Sequence, residues 1–102
     1  MTEQAYEAVE IARTSGEIKK GTNETTKSIE RDEAALVVVA DDVLPDEITL
    51  HLEPLCDEQG IPCVPVHSKV ELGAPAGLPV ASAAVAITEE GDAADKLKAL
   101  AT

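Results

Sequence analysis

Hydrophobic and polar positions alternate along the first third of the chain in patterns that predict a helix, a strand and a second helix. Small apolar residues at helical spacing predict a helix over residues 2–15, ended by Gly16 as its C′ glycine. Residues 17–20 are a brief candidate strand. Gly21 then predicts a tight turn, and Thr22 the N-cap of a second helix that runs to about residue 33.

The middle of the chain carries its most apolar segment. The β-branched run ALVVVA at 35–40 predicts a strand covered on both faces, and therefore an interior strand. Pro45 and Asp46 predict the start of a helix that ends at Gly60. Pro54 falls inside the apolar stripe of that helix and predicts a kink.

The last third again alternates between strands and helices. Residues 63–66 predict a strand, in which Pro65 favours an edge position. Ser68 is placed to cap a short helical turn, residues 83–87 predict the last strand, and Asp92 begins a C-terminal helix. Short apolar strands alternating with helices predict one α/β domain over residues 1–102, built as a three-layer sandwich.

Net charge argues at first against a nucleic-acid partner. The chain has eight Lys and Arg residues and 20 Asp and Glu residues. The resulting net charge of −12 ordinarily repels nucleic acid and anionic lipid. Such acidity also suits a cytoplasm at molar salt, where the Debye length is about 3 Å, so a halophilic origin stands beside an ordinary acidic protein. Without a secretory leader or a long apolar run, we expect a cytoplasmic protein with no membrane partner.

The second helix has one face that carries chemistry. At 100° per residue, Asn23, Glu24 and Lys27 fall on the same side as Arg31, opposite Ile29. Residues 13–31 hold five basic and three acidic side chains, a local excess of positive charge in an acidic chain. This face fits either a solvated helix with Glu–Lys pairs or a surface that reads base edges beside a phosphate-binding helix N-terminus.

The segment KKGTNETTKSIER at 19–31 closely resembles the signature of the archaeal large-subunit ribosomal proteins that bind kink-turn RNA, the L-seven-Ae family. Similarity continues through ALVVVADDVLPDEI, HLEPLC, GIPCVPV, SKVELG and AGLPVASAAVAI, in the family's order. The resemblance implies an α/β/α sandwich with a mixed four-stranded sheet. It also implies binding to ribosomal, box C/D guide and ribonuclease P RNA, within ribonucleoproteins that contain other proteins.

The resemblance also implies the roles of individual residues. Asn23, Glu24 and Lys27 would contact the guanines of tandem sheared G·A pairs. Backbone contacts would come from residues on or near the start of that helix, namely Lys19, Lys20, Gly21, Thr22 and Arg31. An extruded loop nucleotide would meet one lysine and an apolar loop, namely Lys69, Leu78, Val80 and Ala81.

Two positions depart from the family pattern. Leu44 stands before Pro45 where the family usually has an acidic residue, and Pro79 replaces the acid between Leu78 and Val80. The first change removes a contact to the flipped base if the family's contact is made there. Pro79 fixes its own φ and alters the preference at the loop nucleotide.

Other chemistries have weaker support in the sequence. His51, Cys56, Cys63 and His67 have a superficial zinc spacing, but buried free thiols account for the cysteines more simply. No arrangement typical of a catalytic centre is present, so we predict a non-enzyme without a cofactor that is monomeric when free. The competing hypothesis is an acidic protein-interaction domain of the same fold that does not bind RNA.

Overall fold

Helices and strands alternate along the chain in the predicted order. The computed structural model describes residues 2–42, 50–77 and 81–101. The helices are α1 (Thr2–Ser15), α2 (Thr22–Glu30), α3 (Leu52–Gln59), α4 (Lys69–Gly73) and α5 (Ala94–Ala101). The strands are β1 (Glu17–Lys20), β2 (Leu36–Ala40), β3 (Cys63–Val66) and β4 (Ala84–Glu89).

The four strands form one mixed sheet in the order β1-β4-β2-β3. β4 runs antiparallel to both β1 and β2, whereas β2 and β3 are parallel. The prediction of a mixed four-stranded sheet is confirmed, with β2 in the interior and β3 at an edge, where Pro65 costs no interior ladder bond.

Apolar side chains fill a core on each face of the sheet. Alternate residues of β2 point to opposite faces, so Leu36 and Val38 pack with α1 and α5 while Val37 packs with α2 and α3. Val38 and Val37 are both completely buried. The molecule is therefore a three-layer α/β/α sandwich, as predicted.

Gly16 follows α1 for a reason other than the predicted left-handed cap. Its φ is not positive, and its N–H donates to the Ala12 carbonyl at 2.7 Å. A Cβ at this position would overlap the Glu89 carbonyl oxygen of β4. Glycine is needed at position 16 because the backbone there lies directly against the end of β4.

The second helix begins and ends differently from the prediction. Its N-cap is Gly21 (φ 93°, ψ 158°), so Thr22 is the first helical residue and not the cap. The helix ends at Glu30, about three residues early, because Arg31 caps it and Asp32 turns the chain at φ 57°.

The start of α3 also differs from the prediction. Leu50 and His51 form a turn before α3, so one continuous helix up to Gly60 is wrong, and the predicted start at Pro45 and Asp46 lies outside the described residues. Pro54 sits in the first turn of α3, where an N–H has no helical partner, so no kink is required.

The C-terminal part of the chain keeps the predicted elements but moves their limits. β4 begins one residue later and ends two residues later than predicted, at Glu89. A 3₁₀ turn at Gly91–Ala93 precedes α5. Ala93, Leu97 and Leu100 are buried.

Candidate nucleic-acid interface

The predicted site residues that the structure describes gather at one end of the sheet, apart from Arg31 at the far end of α2. Here β1 ends at Lys20 and β4 begins at Ala84, and the Gly21 N–H donates to the Ala84 carbonyl at 2.9 Å. Two residues before Ala84, the Ser82 N–H donates to the Lys69 carbonyl at 2.9 Å. The start of α2 and the start of α4 are thus both hydrogen-bonded to the short segment Ser82–Ala84, where β4 begins.

An open depression lies at the N-terminus of α2. It is lined by Lys20, Gly21, Thr22, Asn23, Glu24 and His51. No side chain caps the helix, and its first backbone bond runs from the Thr25 N–H to the Gly21 carbonyl at 3.0 Å. The N–H groups of residues 22–24 therefore have no helical partner, and together with the helix dipole they favour an anion.

Gly21 leaves room for a close approach to this backbone. Its φ of 93° disfavours any residue with a Cβ, yet a Cβ there would meet no atom within 4 Å. The constraint at this position is therefore conformational, and the space above Gly21 is open to a partner.

The exposed face of α2 carries the predicted polar side chains. Asn23, Glu24, Lys27 and Arg31 are all exposed, whereas Thr25 and Ile29 on the opposite side are fully buried. Lys27 Nζ lies 3.7 Å from Glu24 Oε1, so a donor and an acceptor stand side by side at the helix surface. This juxtaposition confirms the helical arithmetic for this face.

Lys19 on β1 is already paired within the protein. Its Nζ lies 3.0 Å from Glu17 Oε1, and this hydrogen bond, with the attraction of the same carboxylate, raises the pKa of the Lys19 ammonium. Lys20, the next residue, is exposed and has no ion pair within the described residues. Lys20 is the more available cation of the two.

The start of α4 is satisfied by protein groups, unlike the start of α2. The Lys69 N–H donates to Asp42 Oδ1 at 2.9 Å, and the Glu71 N–H donates to Ser68 Oγ at 3.2 Å. The Tyr6 hydroxyl donates to the Ser68 carbonyl at 3.3 Å, and burial together with the Glu71 carboxylate raises the pKa of Tyr6. These contacts fix the backbone of Lys69 and leave its side chain half-exposed.

The predicted apolar loop is described in part. Ala81 is exposed and stands just before β4. Leu78 and Val80 lie outside the described residues, as do the two departures, Leu44 and Pro79.

The four residues with zinc-like spacing do not form one cluster. His51 Nε2 lies 2.9 Å from Thr26 Oγ1, and His67 Nδ1 lies 3.4 Å from Asp41 Oδ2. Across residues 2–42, 50–77 and 81–101, no group of three or more His, Cys, Asp or Glu side chains is placed to hold a metal ion.

Cys56 and Cys63 are free cysteines in contact with each other, the first buried and the second half-buried. The hydrogen bond to Cys56, together with burial, raises the pKa of the Cys63 thiol. Both cysteines are free, as predicted, but Cys63 is half-buried where a buried thiol was predicted.

The position of His51 at the rim of the α2 depression was not predicted from the sequence, where His51 was considered only as a zinc ligand. The ring lies at the rim of the depression because α3 packs against α2, bringing together residues 25 positions apart. No local pattern signals a contact of this kind.

The fold and this end of the sheet define a small α/β/α protein that exposes an uncapped, mixed-charge helix N-terminus. Residues 3–97 match the model of the Ribosomal protein L7Ae/L30e/S12e/Gadd45 family, and the chain belongs to that family. A solved structure described as "Giardia lamblia 15.5kD RNA binding protein" is similar to it, with a TM-score of 0.91 and 29% sequence identity. The match covers 97% of this chain and 82% of that one.

Among the described helices, none combines the length and the apolar character that are needed to cross a bilayer.

Proposed function

We propose that this protein binds kink-turn RNA and that the exposed face of α2 reads its tandem sheared G·A pairs. The observation that carries the proposal is the juxtaposition of Asn23, Glu24 and Lys27 beside the uncapped first turn of α2. Family membership and the similarity to a protein described as RNA-binding support the same class of partner.

The three side chains offer complementary hydrogen-bonding groups. The Lys27 ammonium donates and suits guanine O6 or N7, and the Glu24 carboxylate accepts and suits a guanine amino group. The Asn23 amide can donate and accept at once. All three are exposed, so they reach a base without moving a packed element.

Phosphate contacts would come from the groups at and next to the depression and, at the far end of α2, from Arg31. Donors for the RNA backbone would be the free N–H groups at the start of α2 and the side chains of Thr22, Lys20, Lys19 and Arg31. Gly21 allows the RNA backbone to approach closely.

A second contact region would cover an unstacked loop nucleotide. Lys69 would bind near that nucleotide, and Ala81, Leu78 and Val80 would cover its base. Two hydrogen bonds hold the Lys69 backbone, since its N–H donates to Asp42 Oδ1 and its carbonyl accepts from the Ser82 N–H. They support a fixed position for this lysine.

The setting we propose follows from the kink-turn partner. The RNAs would be ribosomal, box C/D guide and ribonuclease P RNA, in cytoplasmic ribonucleoproteins with other proteins. The chain would act as one domain without cofactor or catalytic role and would be monomeric when free. We further propose an archaeal, salt-rich source, which suits the net charge of −12.

A gel shift with three RNAs and three proteins tests the proposal. The RNAs are a kink-turn, the same RNA with Watson–Crick pairs in place of the G·A pairs, and an unrelated hairpin. The proteins are the wild type, Asn23→Ala and Gln59→Ala, the last removing an exposed amide at the far end of α3.

We expect the wild type and Gln59→Ala to shift the kink-turn alone. Asn23→Ala loses roughly five- to 150-fold in affinity, because a base-edge contact is worth roughly 1–3 kcal/mol. If the wild type shifts none of the three RNAs, the acidic protein-interaction domain becomes the better account.

A further inference from the structure

His51 is held at the rim of the α2 depression by contacts to two helices. Its backbone carbonyl accepts from the Leu55 N–H at 3.2 Å in the first turn of α3, and its ring Nε2 lies 2.9 Å from Thr26 Oγ1 on α2. The side chain is exposed and lines the same depression as Asn23 and Glu24. The ring is therefore fixed in position and open to a partner.

The Thr26 hydroxyl determines which ring nitrogen carries a proton. A hydroxyl group has one proton to donate, and Thr26 Oγ1 donates it to the Thr22 carbonyl at 2.8 Å. His51 Nε2 must then be the donor in the contact with Thr26. Nδ1 is the nitrogen left for a partner, as an acceptor in the neutral ring and as a donor in the imidazolium.

Protonation of the ring leaves the contact with Thr26 intact, since both nitrogens of an imidazolium are donors. It changes the charge of the depression, whose other charged lining groups are Lys20 from β1 and Glu24 from α2. Lys27 pairs with Glu24 on α2, and Glu53 follows His51 on α3. With His51 neutral, the lining residues carry a net charge of zero; with His51 protonated, the net charge is +1.

We propose that His51 is an additional RNA-contact residue, which in its protonated form donates from Nδ1 to a backbone phosphate of the bound RNA. This inference rests on the proposed function, since it places the phosphate over the start of α2. An imidazole changes charge between about pH 5 and 8, so RNA affinity rises as the pH falls through that interval.

The test compares affinity for one kink-turn RNA at pH 5.5 and pH 7.5, measured by fluorescence anisotropy at constant ionic strength. The proteins are the wild type, His51→Gln and His67→Gln. Because the chain has two histidines, His67→Gln is the matched control, with its ring on Asp41 and not in the depression. A titration of both rings by NMR, with and without RNA, gives a second reading on the unmutated protein.

We expect the wild type and His67→Gln to bind about three- to tenfold more tightly at pH 5.5, as one charge-assisted contact allows. His51→Gln shows no such step, and the His51 ring alone titrates at higher pH in the complex. A wild type that binds tightly but equally at both pH values overturns the role of His51 and leaves RNA binding intact. A wild type that binds at neither pH overturns the proposed function and this inference with it.

Discussion

Thr25 carries a buried hydroxyl on the core side of α2. Its Oγ1 has no hydrogen-bond partner among the described residues, and the residue is completely buried. Thr26, one position on, donates its hydroxyl proton to the Thr22 carbonyl. The two neighbouring threonines therefore differ in whether their hydroxyl is satisfied.

We expect Thr25→Val to raise the free energy of unfolding by about 1 kcal/mol, because it removes an unsatisfied buried polar group at nearly constant shape. Thr26→Val lowers it, because the same change there deletes hydrogen bonds. Urea denaturation of both variants is the measurement. A destabilised Thr25→Val protein would mean that the hydroxyl has a partner in solution.

Asp32 follows α2 and adopts the left-handed backbone conformation, with φ 57°. A Cβ destabilises this conformation through a steric clash with the backbone, and glycine has no such clash. We expect Asp32→Gly to raise the free energy of unfolding by about 0.5–1 kcal/mol in the same assay, with RNA affinity unchanged. Asp32→Ala gives no such gain, and equal effects of the two substitutions would exclude backbone strain as the cause.

Some residues of the site could be placed from the sequence alone and others could not. The shared face of Asn23, Glu24 and Lys27 followed from the sequence because α2 is a regular helix at these positions, and the angles between side chains are then fixed. The place of His51 did not follow, because it depends on how α2 and α3 pack together. The arrangement of side chains on one helix can thus be predicted from the sequence, whereas contacts between two helices cannot.

Elements were predicted well where their own sequence decides them. β1 and β3 have the predicted limits, because short apolar or alternating runs there are bounded by turn residues. The ends of α2 and the start of α3 were wrong, because a backbone bond from Gly21 to Ala84 and the turn at His51 set them. The order β1-β4-β2-β3 does not follow from the hydrophobic pattern, since periodicity does not specify which strands pair.

Gly16 connects α1 to β1 and packs against the backbone at the end of β4, and substitution there tests that contact. Gly16→Ala places a Cβ against the Glu89 backbone, which cannot rotate away, so we expect a loss of about 3 kcal/mol in unfolding free energy. Gly60→Ala is the control, since Gly60 has φ 71° and open space around it, and should cost about 1 kcal/mol. Similar losses for the two variants in thermal or urea unfolding would show that α1 and β4 separate easily.

At the scale of the whole molecule, the charge is unevenly distributed. The net charge is −12, yet the basic residues concentrate around β1 and α2. Two of these cations already pair with carboxylates, Lys19 with Glu17 and Lys27 with Glu24. Lys20, Arg31 and Lys69 make no ion pair within the described residues, so they can neutralise phosphates without first giving up a carboxylate partner, as Lys19 must.

The number of available cations sets the salt dependence of RNA binding. With three phosphates neutralised, a plot of log affinity against log salt has a slope of about −2.7, compared with about −4.5 for five. We expect a slope of about −3 or shallower for a kink-turn RNA between 0.1 and 1 M KCl, measured by anisotropy. A slope near −5 would mean that charge, and not base-edge contact, dominates the affinity.

The most direct test of the central claim is a double-mutant cycle between the α2 face and the G·A pairs. Affinities are measured for wild type and Asn23→Ala with the kink-turn and with the RNA whose G·A pairs are replaced. If α2 reads those pairs, Asn23→Ala weakens binding to the intact RNA and has almost no further effect on the replaced one, with a coupling energy of about 1–3 kcal/mol. Equal losses on both RNAs would contradict the claim, since Asn23 would then act without regard to the guanines.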